Sequence, residues 1–220
     1  MNRYHLIAAG LFATAPASVA AQRVQPWPTI FVSAPVARGW SASGELVNRV
    51  SGDPARPSQL EARLQLGRHL SGSVTLWAGY VHVVTYHLGQ PAGIENQSVE
   101  QLNWAMGSVL GVTISSRTRL EQRFQRGADA TNWRLRAQLR LALPVARNGT
   151  SLVAWTEPFV ALNHTSANRE TFDQIRNFIG VSVPVAKHVE VEVGYLNQYL
   201  HRPSGDVSID AVPVTLNVRF

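Results

Sequence analysis

RTRLEQRFQRGADATNWRLRAQLRL, residues 117–141, sets an arginine at nearly every second position on both sides of a short polar break. Thr118, Leu120 and Phe124 share one face, opposite Arg117, Arg119, Glu121 and Arg123. After the break, Trp133, Leu135, Ala137, Leu139 and Leu141 oppose Arg134, Arg136, Gln138 and Arg140. A period of two is the strand signal, because successive side chains of an extended backbone leave on opposite faces. Two such runs joined by Gly127–Asn132 therefore predict a hairpin with one apolar and one charged face.

The same period extends in both directions from this hairpin. Val212, Val214, Leu216, Val218 and Phe220 alternate with Pro213, Thr215, Asn217 and Arg219. Val189, Val191, Val193, Tyr195 and Tyr199 face away from Glu190, Glu192 and Gln198, and Leu60, Ala62, Leu64 and Leu66 away from Glu61, Arg63 and Gln65. No segment carries a convincing helical stripe. A soluble antiparallel sandwich also alternates, but these runs reach ten residues or more, matching the ~9–11 tilted residues that cross a bilayer. Trp77, Trp104, Phe124, Trp133 and Tyr199 fall near strand ends, as interfacial girdles require. Short connections near His69–Gly72, Gly107–Gly111, Val145–Gly149 and Pro184–His188 alternate with longer ones near Ser51–Pro57, His87–Gln97, Gly127–Thr131, Asn163–Glu170 and His201–Asp206.

The expected fold is all-β: a transmembrane antiparallel up-and-down β-barrel of about ten strands, with twelve as the alternative. Bacterial barrels have even strand numbers. Residues 27–37, WPTIFVSAPVA, read as one strand too many for that rule. They are expected to enter the lumen or lie at the rim.

The N-terminus carries Arg3, an apolar run from Leu6 to Ala13, and small residues at Ser18–Ala21, the layout of a secretory signal peptide. The expected organisation is a signal peptide at 1–21, an N-terminal segment or extra strand at 22–39, and a barrel at 40–220. There is no cysteine, which excludes a disulfide framework. Residues 1–21 hold Arg3 and no acid, so the remainder carries 19 basic against 14 acidic residues. Such an excess raises nucleic acid as a partner. An exported chain with Lys187 as its sole lysine gives that little support, and no nucleic acid is expected.

RTRLEQRF at 117–124, NWRLRAQLRL at 132–141, WTEPFVALN at 155–163, VEVGYLNQYLHRP at 189–203 and LWAGYVHV at 76–83 together resemble a proteobacterial outer-membrane barrel family known only as a domain of unknown function. The resemblance runs through nearly all of the chain after the signal peptide. It implies a barrel and a bacterial outer-membrane location, and it carries no catalytic residues across.

An open sheet edge finds no hydrogen-bond partner in lipid, so the sheet must close. An arginine facing lipid at mid-bilayer costs roughly 2–4 kcal/mol, so the arginines are expected to face inward. The lumen-lining candidates are Arg63, Arg117, Arg119, Glu121, Arg123, Arg134, Arg136, Arg140, Glu190 and Glu192, with Glu61 and Glu157 beside them. Ten strands lie near the width that side chains can fill. Two readings follow: a structural membrane component with an Arg/Glu-packed lumen, or a narrow anion-preferring pore in which arginines on neighbouring strands face Glu190 and Glu192 across the barrel. The alternative is a surface lipid- or lipopolysaccharide-modifying enzyme using His201 and Asp206. Histidines in outward segments without a nucleophile or metal pattern argue against it, so no enzyme, no cofactor and no metal site is expected. His82 is expected inward beside Tyr80, and Pro158 at a strand end or bulge. The expected partners are outer-membrane lipids and lipopolysaccharide, and the outer-membrane insertion machinery acting on the C-terminal strand that ends at Phe220.

Overall fold

In a computed structural model, describing residues 24–52, 55–166 and 170–220, these alternating runs become β1 (Gln25–Ala37), β2 (Trp40–Gly52), β3 (Ala55–His69), β4 (Val74–Thr85), β5 (Gly93–Val109), β6 (Val112–Gln125), β7 (Asn132–Pro144), β8 (Ser151–Ala161), β9 (Phe172–Ala186), β10 (Val189–Leu200) and β11 (Val207–Arg219). The signal-peptide residues lie outside the described residues. Each strand pairs with its sequence neighbours in antiparallel register, and β1 pairs with β11 to close the barrel. Strands of 11 to 17 residues meet or exceed what a bilayer crossing demands.

The count differs from ten. Among the described residues there are eleven strands, because the segment expected to fold into the lumen or lie at the rim is a full member of the wall. Strict up-and-down order makes the first and eleventh strands run the same way, so an odd barrel can close only through a parallel seam. That seam runs from Gln25 opposite Ala211 to Ser33 opposite Arg219. The prolines of β1 fit it: Pro26 and Pro28 precede the first residue paired to β2, Thr29, and Pro35 stands at a register shift. On the β2 side, a missing N–H at Pro26 or Pro28 therefore interrupts no ladder, and at Pro35 it falls where the register already shifts.

One end of the barrel carries tight turns. Leu110 and Gly111 both have positive φ, 53° and 82°, the geometry of a two-residue hairpin that matches strand twist. The opposite end carries the longer connections, including residues 86–92, 126–131 and 201–206.

The outer face is apolar. Leu64 and Ile179 are 70% and 64% exposed, and Ile30, Leu46, Leu102, Trp104, Trp133, Leu141 and Val214 are likewise open. In water this belt would be an unpaired hydrophobic surface far beyond what monomers carry; in hydrocarbon it costs nothing. Two aromatic assignments change. Trp77 is buried inside, its indole lying where a Cβ on Gly67 would come within 2.6 Å, so it belongs to no girdle. Tyr80 is 51% exposed, and both Tyr80 and His82 bond to Asn96 on the outer face while Val81 and Val83 point inward. LWAGYVHV is apolar on both faces, so its parity cannot be read from polarity. Pro158 lies within β8, but the ladder to β7 lapses beside it, between the pairs Arg136–Phe159 and Leu139–Thr156.

Candidate functional site: the barrel interior

The register of β6 and β7 builds the charged layer. Arg119 stands opposite Arg136, and Glu121 opposite Arg134, all with inward side chains. Glu121 accepts from Arg134 Nε at 2.7 Å and from Arg136 Nη1 at 2.8 Å. Arg136 donates its other nitrogen, Nη2, to Glu157 at 2.9 Å, and Arg117 reaches the same carboxylate at 3.2 Å. Arg119 donates from Nε to the Gln101 amide oxygen at 2.8 Å and lies 3.9 Å from Glu121. Forked guanidinium groups bridge two acceptors at once, which is why arginine rather than lysine can weave such a layer. The guanidinium groups of Arg134, Arg136 and Arg176 surround one ring, Phe159, at 5.2, 4.2 and 4.7 Å.

Of the expected residues, Arg63, Arg119, Glu121, Arg134 and Arg136 are buried, and Arg117, Arg123, Arg140, Glu190 and Glu192 are partly so. Arg63 pairs with Glu45 and Glu61, and Arg123 holds Glu95 bidentately at 2.7 and 2.8 Å. The expected separation of arginines from Glu192 is absent: Arg140 crosses the lumen and donates to Glu192 at 3.1 Å. Glu190 lies 3.6 Å from Arg219. Neutralised pairs therefore replace a transverse field. Glu45, Arg49, Glu95, Asp173 and Arg176 were absent from the sequence reading of the lumen. Glu45, Val47 and Arg49 do share a face at spacing two, and that signal identifies them.

The other side of the interior is apolar. Trp27, Val153, Phe178, Leu196 and Ala211 form one buried cluster, with Trp155 stacked on Phe178 at 5.2 Å. Gly180 and Gly194 pair beneath the Phe178 ring, and a Cβ on either would meet its Cζ at 2.5 or 2.7 Å. The two glycines thus make the seat for that ring.

At mid-height the packing is dense. Arg119, Glu121, Glu157, Phe159, Val81 and Val99 point inward yet are no more than 2% exposed, whereas the wall of a water-filled channel would be wet. Above this layer, towards the longer connections, lies a cavity of about 440 Å³ lined by Arg49, Gln97, Arg123, Arg176, Gln198 and other polar residues. At its rim His201 Nδ1 faces Asp206 at 2.7 Å and its Nε2 lies 3.8 Å from Glu170. Tyr199 also donates to Asp206, and this bond, ahead of His201, holds the carboxyl below its ordinary range. Among the described residues, no group of three or more His, Asp or Glu side chains is placed to hold a metal.

A family described as a protein of unknown function, DUF2490, matches residues 24–208. The chain belongs to this family. An uncharacterised protein of Methylorubrum extorquens is 36% identical over 180 residues, covering 80% of this chain and 79% of that protein. Two solved structures share the fold. A NanC porin is 12% identical with a TM-score of 0.55, covering 91% of this chain and all of that one. LpxR from Salmonella typhimurium is 11% identical with a TM-score of 0.53, covering 86% and 87%. Likeness at these identities extends to the fold alone, which is that of outer-membrane barrels.

The expectation that the chain is not an enzyme is overturned. The same architecture serves a porin and LpxR, a lipopolysaccharide-modifying enzyme, so lacking a familiar catalytic pattern on a barrel decides neither way. Function must come from the interior and the rim, not from the fold.

Proposed function

We propose that this family member is an outer-membrane component whose lumen is closed at mid-height by the Arg/Glu layer, leaving a blind cavity open at the end with the longer connections. The observation that carries this reading is the near-zero exposure of Arg119, Glu121, Glu157 and Phe159, all of which point inward. A narrow anion-preferring pore is the weaker reading, since its selectivity needed arginines without counterions around a water path. The ion pairs across β6, β7 and β8 satisfy the arginines at the constriction.

On this reading the apolar belt meets outer-membrane lipids and lipopolysaccharide, and β11 with Phe220 is the segment read by the insertion machinery. The longer connections face the cell exterior. The rim pair His201 and Asp206 supports a surface-enzyme reading only as far as its 2.7 Å contact goes. The second ring nitrogen faces Glu170 rather than an open approach.

Planar-bilayer recording of the purified protein tests closure. No steady single-channel current is expected at moderate voltage. Reproducible open steps with an anion-selective reversal potential would overturn the plugged lumen.

A further inference from the structure

The charges lining the blind cavity do not all find partners. Glu61 pairs with Arg63, and Glu95 is held by Arg123 and by Gln125. Glu121 is held by Arg134 and Arg136, and Asp173 accepts from Arg134 at 3.1 Å and from Arg202 at 2.9 Å. Glu170, at the rim, lies beside His201. Two guanidinium groups are left over. Among the described residues, neither Arg49 nor Arg176 forms an ion pair, and the Nε of Arg49 is buried without any hydrogen-bond partner. Arg176 has one bond, from Nε to Gln198 at 3.2 Å.

These two cations converge. The Arg49 guanidinium lies 4.4 Å from the centre of the Trp27 ring, and that of Arg176 lies 5.7 Å from the same centre. The Trp27 ring, together with the Phe159 ring 4.7 Å from Arg176, offsets only part of the cost of holding two like charges in a partly desolvated pocket. Two such cations favour an anion between them. Guanidinium forks match carboxylate and phosphoryl oxygens bidentately, so the geometry selects those groups over a spherical ion.

The rest of the cavity sets the size and the character of the ligand. About 440 Å³ accommodates a molecule of monosaccharide size. The lining is rich in side-chain amides, at Gln59, Gln97, Gln125, Gln174 and Gln198. Each amide offers both donor and acceptor sites, the complement of a hydroxylated ligand, and the carbonyl oxygen of Gln125 is buried and unpartnered. We propose that this cavity binds a monosaccharide-sized, hydroxylated organic anion, with its carboxylate or phosphate held between Arg49 and Arg176. The inference rests on the closed-lumen reading, because a blind cavity retains a ligand that a through-channel would pass.

Calorimetric titration of the full, detergent-solubilised protein tests the site, using glucuronate and glucose 6-phosphate as the two anion classes, with glucose and inorganic phosphate as the reference probes. At least one of the two sugar anions is expected to bind, and to bind about tenfold or more tighter than glucose and than inorganic phosphate. Arg49→Gln with Arg176→Gln should abolish that difference, and Arg49→Lys with Arg176→Lys should keep part of it. Removing two partly buried cations that form no ion pair should leave thermal stability no lower than that of the unaltered protein, read by heat-dependent gel mobility. Failure of both sugar anions to bind, equal binding of glucose, inorganic phosphate matching the sugar anions, or no effect of the double glutamine substitution would each overturn the site. Conductance reports separately on closure, so a leaking barrel and an absent site are told apart.

Discussion

A step of two residues along β6 moves through Arg117, Arg119, Glu121 and Arg123, one ionised group to the next. The same step along β9 moves through Arg176, Phe178, Gly180 and Ser182, with Leu196 and Ala211 beside them on β10 and β11. Both rows face the same interior, and the backbone alternation is identical. What differs is how each side fills its share of the lumen. The β6 and β7 side fills it with long side chains whose charges must be matched one by one, and the β9 to β11 side fills it by shape, with a ring seated on two glycines.

The contrast breaks most sharply at Glu121. Its carboxylate serves Arg134, Arg136 and, at longer range, Arg119. Glu121→Ala removes the shared counterion and leaves buried cations facing one another, a loss of about 3–5 kcal/mol by the usual cost of breaking a buried pair. Reversible urea unfolding in lipid vesicles measures it. A loss below about 1 kcal/mol, the worth of an exposed pair, would mean that the layer is hydrated.

The apolar side should respond through volume alone. Leu196 is buried against Trp27, Phe178 and Ala211, and Leu196→Ala is expected to cost about 2–4 kcal/mol through lost burial and the cavity left behind. Salt separates the two sides further. The Glu121 effect involves charge and the Leu196 effect does not, so unfolding in vesicles at raised ionic strength should leave the Leu196→Ala loss unchanged.

This division also explains what was legible beforehand. The hairpin of residues 117–141 reads directly, because arginine against leucine at spacing two has only one arrangement compatible with hydrocarbon. The second half of the terminal strand, from Val212 to Arg219, reads for the same reason, whereas in its first half Ile209 and Ala211 turn inward. Inward polarity fails as a guide where the interior is dry: Trp77, Val81 and Val83 point inward, and Tyr80 and His82 outward, against any rule that assigns faces by polarity. Arg49 is marked only by its spacing from Glu45, and Arg176 shares its face with Phe178, Gly180 and Ser182, where no local pattern singles it out. Their significance lies in the partners they lack, and partner lists depend on register across strands distant in sequence. Of the two readings of residues 22–39, the barrel takes the extra strand, because a parallel seam evades the evenness rule that favours ten.

The smallest effect belongs to the rim, where solvent screens every charge. Asp129, in the connection after β6, accepts from the Ser166 amide at 3.0 Å and the Ser166 hydroxyl at 2.7 Å, tying that connection to the one after β8. The Ser166 amide, and then its hydroxyl, hold the Asp129 carboxyl below its ordinary range. A lowered folded-state value means that the tether's contribution is full above the unfolded value of about 3.9 and fades as the pH falls through the folded one. The Ser166 amide resonance in micelles should therefore stay constant from neutral pH down to about 4 and shift only below it. Asp129→Asn should abolish that titration while preserving an acceptor oxygen. A midpoint at or above about 4 would show that the tether gives the carboxylate no preference over its protonated form, and that the two connections move independently above a rigid interior.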